Sequence, residues 1–252
     1  VFFFFQMKEK VTSISEITVK PKANKEQSVN ALAMVSAKML SVEEAQRYAG
    51  GFDDPARLVS AFAGVSSNIN NNAIVVRGNS PQSLQWKMEG VEISNPNHFA
   101  DLSVFGGGAL TALSSQLLAN SDFMSGAMPA EYGNALSGVF DIYMRNGNNQ
   151  KHEHTIQLGL VGIDVASEGP FKKGAKSSYL FNYRYSTMAL ISPLLPDNAQ
   201  GTKYQDLSFK LNFPTKKAGV FSIWGIGLSD FSDVQAKNDV TQWEYDDDRE
   251  SM

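Results

Sequence analysis

The residues best suited to chemistry fall in a few short stretches. In "HEH", His152 and His154 are two apart, so a strand would point both imidazoles to one side. Such a pair can ligate a metal, but no third ligand lies nearby, and the run reads better as a solvated strand at a domain junction. "FGGGAL" (105–110) has the glycines of a phosphate-cradling loop without its lysine or the rest of the fingerprint, so it reads as a plain loop. "YDDDRE" (245–250) offers carboxylates that could recruit calcium, but it reads better as an acidic loop. "SNPNHFAD" (94–101) is polar around one aromatic ring, and its asparagines suit either ligand contact or loop self-capping. The chain has no nucleophile elbow, Walker loop or zinc-protease helix. No enzyme activity, metal or cofactor is expected.

Composition narrows the alternatives. The chain has 252 residues, a formal net charge of −4, 19% charged residues and 16 phenylalanines. Nothing in that balance argues for nucleic acid. Cysteine is absent, which excludes disulfides and thiolate metal sites. The opening "VFFFFQMKEK" lacks the features of a secretory signal. Its apolar run falls far short of the ~20 residues of a membrane helix. Any membrane role would therefore use strands. Val1–Gln6 reads as the last strand of a preceding domain, in a chain cut from a longer protein.

The elements that must position these residues divide near residue 149. Before it, helix and strand signals mix. "SVEEAQRYAG" predicts a helix with a capping box between Ser41 and Glu44, ended by Gly50-Gly51. "DDPARLVSAFAGV" predicts a second helix, with Asp54 at the N-cap and Pro55 in the first turn. Leu110, Leu113 and Leu117 predict a third. Strands are expected over 73–77, 84–89, 122–125 and 138–144. After residue 149 the pattern has period two: Tyr179, Phe181, Tyr183 and Tyr185 share one face, and Leu207, Phe209, Leu211 and Phe213 another. The parity switch around Leu160–Ile163 marks a bulge or strand end. In "FSIWGIGL", Phe221 and Ile223 break the alternation of Trp224, Ile226 and Leu228. Short basic connections alternate with longer ones, as in an up-and-down membrane barrel with strands of ~9–11 residues. A soluble sandwich gives the same alternation.

The order of motifs resembles the plug domain of TonB-dependent outer-membrane receptors. "DPARLVSAFAGV" (54–65) is similar to the plug's first helix. "AIVVRG" (73–78) is similar to the strand ending in Arg-Gly. "LQWKMEGVEI" (84–93) is similar to the strand carrying Asp-Gly-Val, with Glu89 in place of Asp. "SDFMSGAMPAEYGNALSGVFDIYMR" (121–145) is the most diagnostic stretch, with Ala130-Glu131-Tyr132-Gly133 followed by Ser137-Gly138-Val139 where the family has Gly-Gly-Val. "EITVKP" (16–21) is similar to a TonB box, the short segment that adds as a strand to TonB.

The resemblance implies an α+β fold. A plug with a small mixed sheet of about four strands and two to three helices would be followed by antiparallel β-hairpins from the start of a transmembrane β-barrel. Residues 1–13 would end an N-terminal β-sandwich extension, and 14–30 would hold the TonB-box-like segment and linker. Residues 31–149 would form the plug, and 150–252 the first four strands of the barrel. The resemblance assigns Glu16, Ile17, Thr18, Val19 and Lys20 to the TonB box. It assigns Arg77, Glu89, Glu131 and Arg145 to plug–barrel docking, and Asn95, Asn97, His98 and Phe99 to a ligand-facing apex. Implied partners are the TonB C-terminal domain, a nutrient ligand, outer-membrane lipid and a surface lipoprotein. The location would be the outer membrane of a Gram-negative bacterium, with the plug in the barrel lumen and the N-terminus periplasmic. Rival readings are a receptor-like signalling or surface-complex component and a soluble extracellular binding module.

Overall fold

The computed structural model describes residues 28–33, 35–48, 54–67, 71–100, 106–159, 162–187 and 202–232. The TonB-box-like segment, Gly50-Gly51 and the acidic run 245–250 lie outside them. In chain order the elements are β1 (Ala37–Leu40), α1 (Val42–Arg47), a 3-10 segment (Pro55–Ala61), β2 (Val65–Ser67), β3 (Ile74–Val76), β4 (Leu84–Met88), β5 (Val91–Ile93), β6 (Asn97–His98) and β7 (Leu110–Thr111). There follow β8 (Ser121–Met124), β9 (Gly138–Ile142), β10 (Glu153–Leu158), β11 (Gly162–Pro170), β12 (Ser178–Ser186), β13 (Thr202–Pro214) and β14 (Val220–Ser232). The described residues are mostly β-sheet with little helix. Among the described residues no helix is long and apolar enough to cross a membrane.

The first sheet has the order β1-β8-β9-β4-β5. The β4–β9 pair is parallel and the other pairs are antiparallel. Its core is aromatic. Trp86 stacks on Phe140 with ring centroids 5.0 Å apart, and Phe123 meets Phe140 edge-on at 5.7 Å. Such offset and edge-on pairs place ring edges against ring faces, which adds to the burial of their area.

Both Arg-Gly and Glu-Gly prove to be turns of one kind. Arg77 and Gly78 have φ of 51° and 80°, and Glu89 and Gly90 have 50° and 83°. Two successive left-handed residues make the tight turn whose twist matches that of paired strands. The Glu89-Gly90 turn joins β4 to β5 directly, with Met88 opposite Val91. Holding Arg or Glu in that region costs roughly 1 kcal/mol, and each following glycine takes it freely.

Three helical expectations are revised. The helix at 42–47 forms, but Ser41 makes no side-chain cap, so the capping box is absent. The segment after Pro55 is 3-10 and not α, with the Asp54 side chain accepting from Ala56 N as expected. The helix expected over 110–117 is replaced by β7 and a turn. Thr111 Oγ1 accepts from Leu113 N and Ser114 Oγ from Gln116 N, local bonds that compete with helical ones. Leu110, Leu113 and Leu117 are nevertheless buried, so their spacing reports burial and not helix.

The second sheet is an antiparallel meander, β10-β11-β12-β13-β14. It has five strands where four were expected. The extra one is β10, which carries His154; it ends at Leu158 and β11 begins at Gly162, with Gly159 N donating to Gly162 O, so the strand end expected near 160–163 falls between them.

The polarity of this sheet is the reverse of a sheet in water. The face turned to the first sheet is polar: Ser178, Asn182, Arg184, Ser186, Asp206, Ser208, Lys210 and Asn212 are all buried. The face turned away carries Ile156, Val165, Phe181, Leu207, Phe221 and Ile223, each counted among the exposed large hydrophobic residues. Burial of polar and exposure of apolar side chains over a whole sheet both cost free energy in water. Phe221 and Ile223 belong to this outward set. Trp224 and Ile226 turn inward and, with the fully buried Leu180, pack on the core of the first sheet. That division explains the broken alternation in "FSIWGIGL".

Candidate functional site

The contact between the two sheets is the richest concentration of polar side chains in the described residues. It has three parts.

At one end, Arg145, just past β9, donates from both terminal nitrogens to the Glu168 carboxylate on β11, each at 2.7 Å. Paired planar groups of this kind give the strongest charge-assisted geometry. Arg145 Nε also donates to Gln116 O at 2.6 Å, which fixes the guanidinium from its other side.

In the middle, Lys210 on β13 reaches Glu89 in the β4–β5 turn. Its Nζ donates to Glu89 Oε1 at 2.9 Å and to Met144 O at 2.7 Å. Glu89 Oε1 also accepts from Met144 N at 2.6 Å. The left-handed conformation of Glu89 belongs to the residue whose carboxylate meets the second sheet.

At the other end a buried network joins the β6–β7 pair and the loops beside it to the second sheet. Asp54 is wholly enclosed, and its Oδ2 accepts from Thr111 N at 2.9 Å and from Asn72 Nδ2. Asn72 also donates to Asn97 Oδ1 at 3.0 Å. Arg184 on β12 bonds Thr111 O and the Asp206 carboxylate. His98 is fully buried. Its Nε2 lies 2.9 Å from Asp206 Oδ2 and its Nδ1 3.4 Å from Asp230 Oδ2. Phe99 N donates to the same Asp230 oxygen at 3.1 Å. Ser114 Oγ donates to Asp164 Oδ2 at 3.1 Å, a further crossing.

Burial pushes the Asp54 carboxyl above its ordinary value, against the pull of the Thr111 and Asn72 donors and of Arg184 and Arg57. Burial likewise raises Asp122, whose carboxylate accepts from Val29 N at 2.8 Å and Asn30 N at 2.7 Å. Tyr132 and Tyr143 are raised by burial and by donating to Asp141.

The candidate residues distribute as follows. Arg145 and Glu89 contact the second sheet. Arg77 does not: its side chain lies along Gly64 and Gly126, and it has no ion pair among the described residues. Glu131 accepts from Asn30, within the N-terminal part of the chain. Asn97 and His98, expected at a ligand-facing apex, are enclosed within the protein. Both are buried, and their polar atoms are used within the protein, because β6, which carries them, lies against β13 and β14. Asn95 donates to Gly106 O and Gly107 O, and Phe99 is half-buried. His152 lies 3.2 Å from Tyr179 Oη, and His154 Nδ1 lies 3.0 Å from Ser167 Oγ. No group of three or more metal-ligating side chains converges among the described residues.

Sequence reasoning missed Arg184, Asp206, Asp164 and Asp230 as contact residues. A signal existed: Arg184 and Lys210 are charges set among Ser and Asn on the polar side of alternating strands. Taking that side as solvated hid their role.

No protein-family model and no curated protein matches the chain. Among solved structures, the siderophore receptor PirA from Pseudomonas aeruginosa matches with a TM-score of 0.50 and 15% identity, over 78% of this chain and 36% of that one. The outer membrane transporter YddB from Escherichia coli aligns with a TM-score of 0.38 and 11% identity, over 79% of this chain and 37% of that one. The chain thus spans little more than a third of the length of either. At this identity the likeness concerns architecture: the chain is similar in fold to a part of a siderophore receptor.

Proposed function

We propose that this chain is the plug and the start of the barrel wall of a TonB-dependent outer-membrane receptor, which imports a scarce nutrient when TonB pulls on the N-terminal segment. The inverted polarity of the second sheet carries this reading. An outward apolar face and an inward face of Ser, Asn, Arg, Asp and Lys suit strands with lipid on one side and a filled lumen on the other. A soluble sandwich would need the opposite arrangement. The motif order over 54–145 and the likeness in fold to PirA support the same reading.

In this reading residues 31–149 form the plug. Arg145–Glu168, Glu89–Lys210 and the His98–Asp206 contact hold it to the wall. The N-terminus lies in the periplasm, and Glu16–Lys20 pairs with the TonB C-terminal domain as an added strand. The protein binds and moves its ligand without chemical conversion. The test is binding of purified TonB C-terminal domain to the protein with and without residues 16–21. Binding that disappears on deletion supports energy-coupled import through this segment. Undiminished binding refutes the assignment of the box, and absence of binding by the folded protein refutes coupling to TonB.

A further inference from the structure

Positive charge gathers at one end of the second sheet, and none of the contacts above uses it. β11 runs into the turn 171–177, "FKKGAKS", and β13 into the turn 215–219, "TKKAG". In an antiparallel meander both turns lie at the same end. Phe171 stacks on Phe213 with centroids 5.3 Å apart and holds the turns side by side. Lys172, Lys173, Lys176, Lys216 and Lys217 are all exposed, and neither turn contains an acidic residue. None of these lysines has an ion pair among the described residues. The nearest strand-end carboxylates are engaged elsewhere, Glu168 by Arg145 and Glu153 by Lys151.

Polarity changes in steps along the outward face toward this end. Phe181, Leu207 and Phe209 stand on the middle rungs, Tyr179, Leu211 and Ile223 share the next, Phe213 and Phe221 form the last, and the lysines follow. Apolar side chains with a tyrosine near the end of the wall and cations beyond them is the order met on crossing from a bilayer core to its headgroups. The first turn also curls beside Asn149 and Gln150, leaving an open pocket of about 430 Å³ whose lining includes Lys173 and Lys176. Two ammonium groups and two amide side chains around such a volume suit a phosphate diester with its glycerol.

We infer that this end of the sheet binds the phosphate headgroups of anionic phospholipids, one seated between Lys173 and Lys176 and others drawn by Lys172, Lys216 and Lys217. The inference rests on the second sheet being a membrane wall. A soluble phosphate would satisfy the lysines but gain nothing from the rings beside them, which is why a lipid is the occupant.

The test places the receptor in phosphatidylcholine bilayers containing a trace of spin-labelled phosphatidylglycerol or phosphatidylcholine. Electron spin resonance then reports the lipid motionally restricted by protein. The wild type is expected to prefer phosphatidylglycerol about threefold or more, as several lysines near an anionic headgroup should give. Lys173→Gln with Lys176→Gln should lower that preference, and replacing all five turn lysines should bring it to unity. Lys203→Gln, an exposed lysine at the far end of β13, should leave it unchanged. Equal restriction of both lipids by the wild type overturns the headgroup site while leaving the wall intact. No restricted component for either lipid overturns the wall itself. Preference abolished by millimolar glycerol 3-phosphate identifies a soluble anion as the occupant and overturns the lipid assignment.

Discussion

Replacing Lys210 by Met tests the contact between the sheets most directly. The ammonium and the Glu89 carboxylate are 2.9 Å apart, with side-chain exposures of 9% and 14%. Removing one partner of a nearly buried pair strands the other charge, a loss of about 3–5 kcal/mol. Glu89 would keep its bond from Met144 N, so the loss should lie at the low end, about 3 kcal/mol. Glu89→Gln keeps an acceptor for that N–H but leaves the ammonium uncompensated, and should cost roughly 1.5 kcal/mol. The double variant no longer buries a lone charge. It should be about 1.5 kcal/mol more stable than the sum of the single effects predicts, roughly tenfold in the unfolding equilibrium. Urea unfolding in detergent micelles, followed through Trp86 and Trp224, measures all four stabilities. A coupling below about 0.5 kcal/mol would show that the two side chains act independently and refute the bridge.

Phe181→Arg, on the outward face of β12, should weaken folding into lipid vesicles by about 2–4 kcal/mol if it sits near the bilayer midplane; a near-neutral result would mean that this face meets water. Asp54 binds protons more readily folded than unfolded, so between its ordinary value of 3.8 and its raised folded value its contribution to stability falls as pH rises. Asp54→Asn should flatten that part of the stability–pH curve, and an unchanged slope would refute the assignment. Asp122→Ala removes the acceptor of Val29 N and Asn30 N. Hydrogen exchange at those amides should accelerate about tenfold or more while β9 stays protected; equal loosening of β9 would show general unfolding and not release of a held segment.

Much of the first sheet was legible because its signals are local. The residues of β4, β8 and β9, and of β3 beside that sheet, alternate or run apolar between Gly, Ser and Asn, and they fold within a residue or two of expectation. The helix expected at 110–117 failed because leucine spacing carries burial but cannot report that Thr111 and Ser114 would bond their own backbone. The site was legible in part. Glu89 and Arg145 stood out as charges at strand ends, and strand ends meet neighbours. His98 was noticed for its chemistry and expected to face a ligand, while its partners Asp206 and Asp230 lie more than a hundred residues away in sequence. No pattern within a single strand could join them.

The core of the first sheet is also unfinished without the second. Leu180 is completely enclosed there, and Trp224 and Ile226 lean on the same cluster. An early-synthesised N-terminal unit would therefore emerge with an apolar gap that only β12 and β14 can fill. In the reading proposed above, the other face of those strands meets hydrocarbon. On that reading, maturation of the two parts becomes a single event at the membrane, and the N-terminal unit stays incompletely packed until then. Before arrival, the exposed gap and the unsheltered strands offer a binding surface to any holding chaperone, and both should vanish together when assembly completes.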